Sequence, residues 1–437
     1  MKSILRAPVF KRFLCLCLSV WLVSAGTSVA AAQSKSGVEK FGDRREAARK
    51  IEDRTPEALR AERLHFKGFS YQSALSLETV YNSNILADES GEKSDYITAI
   101  KPLLTVEKVY DGHLFYLDAD ANIERYATRS EEDKEEFRIS GGGEFDLNSR
   151  WSFPFRVYLI RDKRSRDTPT DAQRTTSPLA IKKAGLSAGV NRKFNRLTIG
   201  LLGRYRDVSY EDSAAEQTGA PIVFSDQDRQ EFGATLSAGY ELKNDHTLFA
   251  DLSYRRLNFD RLEFDGTSFS GSSGDRDEVT FLTGFQTEYK DFLYARLGVG
   301  VLHQNFDDNF DSTTNFNFKA DVAYNFFPKY TFNLNAERLI SQDNGFTNGV
   351  TETLYEAGLD YEIRHNMLVE TLLQYQTFEF ETTGREEKDT SGGINIRYIH
   401  SPYLQTVLGI THEQRNSNQI DSDFDRTIYL LRLTGQL

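Results

Sequence analysis

From Phe69 to the last residue, Leu437, apolar and polar side chains alternate with a period of two. In Glu231 to Lys243 the apolar positions are Phe232, Ala234, Leu236, Ala238, Tyr240 and Leu242, with Glu231, Thr235, Ser237, Glu241 and Lys243 between them. Asn315 to Phe326 and His113 to Tyr126 repeat the pattern. Successive side chains of a strand point to opposite faces, so each such segment carries one apolar face and one polar, often charged, face. A helix needs apolar residues every three or four positions, and these segments do not supply them.

Eighteen segments of this kind can be counted, the first at 69–80 and the last at 424–437. Short connections such as Tyr110-Asp111, Lys243-Asn244-Asp245, Phe327-Pro328-Lys329 and His400-Ser401-Pro402 alternate with long polar ones such as Arg164 to Pro178, Glu211 to Asp228 and Arg261 to Asp275. A soluble sandwich or propeller also has many short strands, but its hairpins do not keep short and long loops in strict alternation. A transmembrane barrel does, and it turns its apolar face to lipid and its polar face to the lumen. The expected fold is therefore all-β, an antiparallel up-and-down barrel of about eighteen strands. This also explains a mean hydropathy of -0.52: only alternate residues need face lipid. Helical membrane bundles are excluded, because no apolar run of about 18 residues follows the N-terminus.

The N-terminus fixes the compartment. Lys2, Arg6, Lys11 and Arg12 precede an apolar stretch from Phe13 to Val23, and small residues follow up to Ala30-Ala31-Ala32. That order is a secretory signal peptide over 1–32, cut before Gln33. The two cysteines, Cys15 and Cys17, leave with it, so the mature chain has no disulfide and no thiolate metal ligand. Without the four basic residues of the signal, 49 Lys and Arg face 65 Asp and Glu, a net charge of about -16. So acidic a product is not a nucleic-acid binder. Residues 33–68 read as a polar helical arm with a helix start at Thr55-Pro56-Glu57, and 69–437 as the barrel. An even strand number places both chain ends in the periplasm. Leu431, Leu433, Gly435 and Leu437 alternate to the end of the chain, similar to the C-terminal assembly signal of outer-membrane barrels, although an aromatic residue more often ends it. Trp151, Phe153, Phe292, Phe326, Phe327, Tyr330 and Tyr403, near predicted turns, fit an interfacial girdle.

A barrel of this size is wide enough for an aqueous channel. The polar members of the alternation that would line it are Asp118, Asp120, Glu124, Arg156, Arg204, Arg206, Asp251, Arg255, Lys319, Asp321, Glu337, Asp360, Glu370, Arg397 and Arg432. Each could equally be a rung in a structural ladder across neighbouring strands. Catalytic signals are weak. The seven histidines form no zinc-binding H-E-x-x-H pair, and four of them (His113, His246, His365 and His400) fall at predicted turns. No G-x-S-x-G elbow is present. Asp421-Ser422-Asp423-Phe424-Asp425 opens like a calcium loop but lacks its glycine and distal glutamate, and the loop acids Asp307, Asp308, Asp311 and Asp421 offer at most a weak divalent-cation site at the cell surface, with a solvated loop as the default reading. No catalytic, metal or cofactor site is expected. Gly141-Gly142-Gly143 and Gly298-x-Gly300 sit within strands and permit curvature or close packing of the wall.

Several short stretches together resemble a known family. They are Leu77-Glu78-Thr79-Val80-Tyr81-Asn82-Ser83-Asn84-Ile85, Ser94-Asp95-Tyr96 with Pro102, Tyr205-Arg206-Asp207-Val208-Ser209-Tyr210, Asp228-Arg229 and the closing Leu431-Arg432-Leu433. This order is similar to the putative β-barrel porin 2 family of outer-membrane proteins, over Phe69 to Leu437. The resemblance implies a Gram-negative outer-membrane channel that exports an exopolysaccharide or capsular polysaccharide. Its implied partners are membrane lipid, a periplasmic polysaccharide export protein and a co-polymerase. A diffusion porin for small hydrophilic solutes, or a plugged barrel acting as a surface scaffold or adhesin, would show the same strands.

Overall fold

The computed structural model describes residues 59, 61–168, 175–215, 218–224, 227–243, 245–259, 275–289, 292–307, 312–341, 350–380 and 384–437. The expected signal peptide and residues 33–58 and 60 of the expected helical arm, with its helix start at Thr55-Pro56-Glu57, lie outside them. The first strand, β1 (Leu64–Phe66), is short; β2 (Phe69–Asn82), β3 (Asp95–Tyr110), β4 (His113–Tyr126), β5 (Lys134–Asn148), β6 (Trp151–Lys163), β7 (Ala180–Phe194) and β8 (Leu197–Tyr210) follow. A two-residue pair, β9 (Ser213–Ala214) and β10 (Pro221–Ile222), precedes β11 (Arg229–Lys243), β12 (His246–Phe259), β13 (Arg276–Tyr289), β14 (Leu293–Phe306), β15 (Thr313–Phe327) and β16 (Tyr330–Ser341). The last strands are β17 (Val350–Arg364), β18 (Met367–Phe380), β19 (Arg385–Ser401), β20 (Leu404–Ser417) and β21 (Phe424–Gln436).

The eighteen long strands form one closed antiparallel barrel, the architecture expected from the alternation. Each pairs with its neighbour in the chain, β8 pairs with β11, and β2 pairs with β21 from Ala74↔Gln436 to Asn82↔Ile428. Reciprocal bonds between Ser73 and Leu437, 2.9 and 2.6 Å long, finish the seam. Eighteen strands about 4.8 Å apart, tilted by about 40°, enclose a backbone cylinder about 36 Å across.

Turns of two or three residues join the strands at one end, and connections of four to eighteen residues join them at the other. The tightest turns follow local chemistry. At Asp111-Gly112 both residues have positive φ, 50° and 83°, the geometry of a type I′ hairpin that matches strand twist. Two features were not expected. β1 lies within the segment assigned to the arm and folds back on β2 through Lys67-Gly68. The β9–β10 hairpin interrupts the long connection after β8, and both pairs are too short for periodicity to reveal.

The distribution of polarity is the reverse of a soluble protein's. Along β14, Leu297, Val299 and Val301 are 46%, 54% and 49% exposed, whereas Gln304 on the other face of the same strand, and Glu78 and Thr434 at the seam, are 1%, 4% and 0% exposed. Such an apolar outer face is stable only against lipid. Among the described residues, no helix is long and apolar enough to cross a membrane. Aromatic rings collect at the short-turn end, where Tyr330 stacks on Tyr361 at 4.5 Å, Phe326 on Tyr330 at 5.6 Å and Trp151 on Phe153 at 6.3 Å. This is the girdle placement expected for Trp151, Phe153, Phe326 and Tyr330.

The glycines flagged in the strands are places of close packing. Gly284 and Gly298 face each other in register, and a Cβ on Gly284 or Gly300 would fall on the carbonyl oxygen of Leu297 or Phe281 in the adjoining strand. Gly300→Val should therefore abolish the folded barrel, read as loss of heat-modifiable migration in a denaturing gel. Gly203→Ala, whose nearest neighbour would be the Ala188 oxygen at 3.8 Å, should leave it intact.

Candidate functional site

The site is the inner wall. Alternation puts all fifteen sequence-selected charged residues on the face opposite the exposed apolar stripe. Most are held by partners across neighbouring strands. Arg432 Nε donates to Glu78 Oε1 at 2.5 Å, and Lys101 Nζ reaches the other oxygen of Glu78 at 2.6 Å, so one buried carboxylate ties β2, β3 and β21 together at the seam. Asp118 accepts from the Thr105 hydroxyl at 2.9 Å, Asp120 stands opposite Arg138, and Glu124 accepts from Asn122 at 2.9 Å. Arg296 donates to Asp251 at 2.9 Å, with its guanidinium 3.8 Å from the Phe249 ring, and Asp321 is its register partner on β15. Lys319 pairs with Glu337 at 2.6 Å, Asp360 accepts from Asn333 at 2.9 Å, and Arg397 meets Glu370 at 2.9 Å.

The β8–β13 wall is arginine-rich. Arg206 and Arg229 share Glu231, while Arg255 and Arg276 share Glu278. Arg156 and Arg204 stand in one register row with Ser187 between them. Glu78, Lys101, Arg229, Glu231, Arg276, Glu278 and Arg296 were not among the lining residues chosen from the sequence. Their strand parity was the signal, and it is the same parity that selected the fifteen.

Both mouths carry chain. At the long-loop end the connection between β6 and β7 leaves the wall: the Arg166 guanidinium clasps Glu132, with Nε to Oε2 at 2.8 Å, and Asp167 lies between Arg426 and Arg415. These two arginines belong to β21 and β20, five and six strands round the barrel from β6, so the segment takes a chord and not the perimeter. Thr175 bridges to Ala215 after β9, and Phe224 packs into Leu179, Ile181, Val208 and Tyr210. At the short-turn end Leu59 packs on Leu368 and Ile399 of the inner wall, and Arg63 pairs with Glu107 at 2.5 Å. The loop acids are also engaged: Asp307 binds Arg256, and Asp423 accepts the Ser417 amide at 2.6 Å. Asp308 and Asp311 lie outside the described residues. Among the described residues no three His, Cys, Asp or Glu are grouped to hold a metal.

Burial pushes the Asp167 carboxyl up, but the Arg426 and Arg415 guanidiniums beside it outweigh burial and hold it well below the usual carboxylate range. A carboxyl lowered on folding contributes stability above its unfolded value of about 3.9 and loses it only as pH falls through the lower folded value. The latch should therefore stay closed at neutral and mildly acidic pH. Asp167→Asn should speed tryptic cleavage at Arg164 or Arg166 about tenfold, and the wild-type rate, divided by trypsin's rate on a small substrate at each pH, should be flat between pH 5 and 8. At the seam, Glu78→Ala leaves two cations facing each other, and breaking a buried pair in this way costs about 3 kcal/mol. Its thermal unfolding, followed by circular dichroism, should come well below that of the Glu78→Gln variant, which keeps the acceptor oxygen.

A closed eighteen-stranded barrel, apolar outside, polar and charged inside and with short turns at one end, defines an outer-membrane porin-type protein. The chain belongs to the family described as putative beta-barrel porin 2, whose model matches residues 67–437. A search of curated proteins finds no match. Among solved structures, it is similar at 10% identity to Pseudomonas aeruginosa OpdK with vanillate, covering 84% of this chain and 99% of that one, with a TM-score of 0.45. Pseudomonas aeruginosa OpdO matches at 12% identity over 84% and 97%, with a TM-score of 0.45. The copper transporter OprC matches at 11% over 86% and 81%, with a TM-score of 0.48. At such identities the likeness is one of fold alone.

Proposed function

We propose that the barrel is an export channel through which an exopolysaccharide or capsular polysaccharide leaves the cell. The observation that carries the reading is the wall itself: a backbone cylinder about 36 Å across, lined by charges of both signs and by amides. Hydroxyl-rich chains exchange hydrogen bonds with such a surface without a large desolvation cost. In this reading the short turns and both chain ends face the periplasm. The entry beside Leu59 and Arg63 is then where a periplasmic export protein and a co-polymerase would deliver polymer.

Deleting the gene should abolish surface polysaccharide and leave polymer inside the envelope, measured by sugar analysis of surface and periplasmic fractions. Unchanged surface polymer would overturn the export role. The diffusion-porin reading is favoured by the family alone and predicts open, sugar-blockable conductance in planar bilayers together with normal surface polymer in the deletion strain.

A further inference from the structure

Among the described residues, one sector of the wall carries more arginines than acids. Two adjacent register rows cross β6, β7, β8, β11, β12 and β13: Arg156, Ser187, Arg204, Gly233, Arg255 and Glu278 in one, Tyr158, Gly185, Arg206, Glu231, Leu257 and Arg276 in the other. Among these described residues five arginines face two glutamates. Both glutamates are already shared, Glu231 by Arg206 and Arg229 and Glu278 by Arg255 and Arg276. Arg204 Nη2 is buried and meets no hydrogen-bond acceptor. Its register neighbours are Ser187 and Gly233, small residues that bring no acid to the guanidinium.

Two aromatic rings flank the arginines. Tyr158 lies so close over Gly185 that a Cβ there would collide with the ring. Tyr116 covers Gly142 in the same way, with its hydroxyl 2.7 Å from where a Cβ would sit. In the register the order is Tyr116, Gly142, Arg156 along one row, with Tyr158 and Gly185 in the next. A glycine beneath each phenol lets the ring reach over the adjoining strand, and a ring so placed offers an apolar surface to a pyranose. A planar guanidinium beside it matches a carboxylate with two parallel hydrogen bonds.

We propose that this sector binds a carboxylate-bearing sugar, the acid on Arg204 with Arg156 beside it, and the sugar ring on Tyr158 or Tyr116. The channel would then carry an acidic polysaccharide. That last step rests on the export reading, whereas the binding site does not. The test is calorimetric titration of the purified full-length protein in detergent with a galacturonate hexamer, maltohexaose and inorganic phosphate. The hexamer should bind, more weakly as salt rises; maltohexaose and phosphate should bind at least tenfold more weakly. Arg204→Gln should weaken the hexamer about tenfold, and Tyr158→Leu combined with Tyr116→Leu should weaken the hexamer but not phosphate. Arg192→Gln, on the opposite face of β7 and stacked on Trp151, should change nothing, and heat-modifiable migration checks that each variant is folded. No hexamer binding, equal binding of maltohexaose or phosphate, or a folded Arg204→Gln variant that binds as wild type would each overturn the proposal. Surface polymer that persists in the deletion strain would remove the export reading and leave this result standing.

Discussion

The structure depends on the closing pair, β2 against β21. In hydrocarbon an unpaired backbone N–H or C=O costs several kcal/mol, so a sheet survives there only if it has no edge. The bonds from Ala74↔Gln436 to Asn82↔Ile428 remove the two edges that seventeen pairings would leave. Side chains reinforce the same join: Ser76 and Thr434 share a buried hydroxyl bond of 2.8 Å, and Glu78 holds Arg432 and Lys101. Once the cylinder is closed, the apolar stripe can face only outward, and every charge on the alternate positions must be satisfied by a neighbour or by water.

That requirement explains the composition of the wall. Few of its charges stand alone, because a charge on a surface shared with a low-dielectric bilayer is stabilised by a partner on its own strand or one or two strands away. The seam triad, the shared Glu231 and Glu278, and the Arg296–Asp251 and Arg397–Glu370 pairs are the same solution repeated round the barrel. Against it, the sector around Arg204 stands out through an excess of cations that its own glutamates do not neutralise.

How much of this was legible in the sequence follows from range. Alternation is local, so the strands, the turn end of the barrel and the inner position of Arg204 or Asp321 could be read directly. The glycine run 141–143 was legible as close packing, yet nothing local said that the ring of Tyr116 would fill the space over Gly142. Pairing depends on register: that Arg206 meets Glu231 and not another acid is fixed by the β8–β11 alignment, which no periodicity encodes. The latch was beyond reach altogether. Asp167 sits in a polar stretch like any loop, and its partners Arg415 and Arg426 lie 248 and 259 positions further on.

The seam also bears on how the molecule comes to exist. Ser76 and Thr434 are 358 positions apart, so the last join waits until every intervening hairpin has formed. Until then the growing sheet carries two raw edges and a continuous greasy outer surface, the very combination that recruits other chains into aggregates. A polypeptide of this design cannot be left to find its membrane unaided. Its strands stay free of other chains only if they remain covered until the ring can shut.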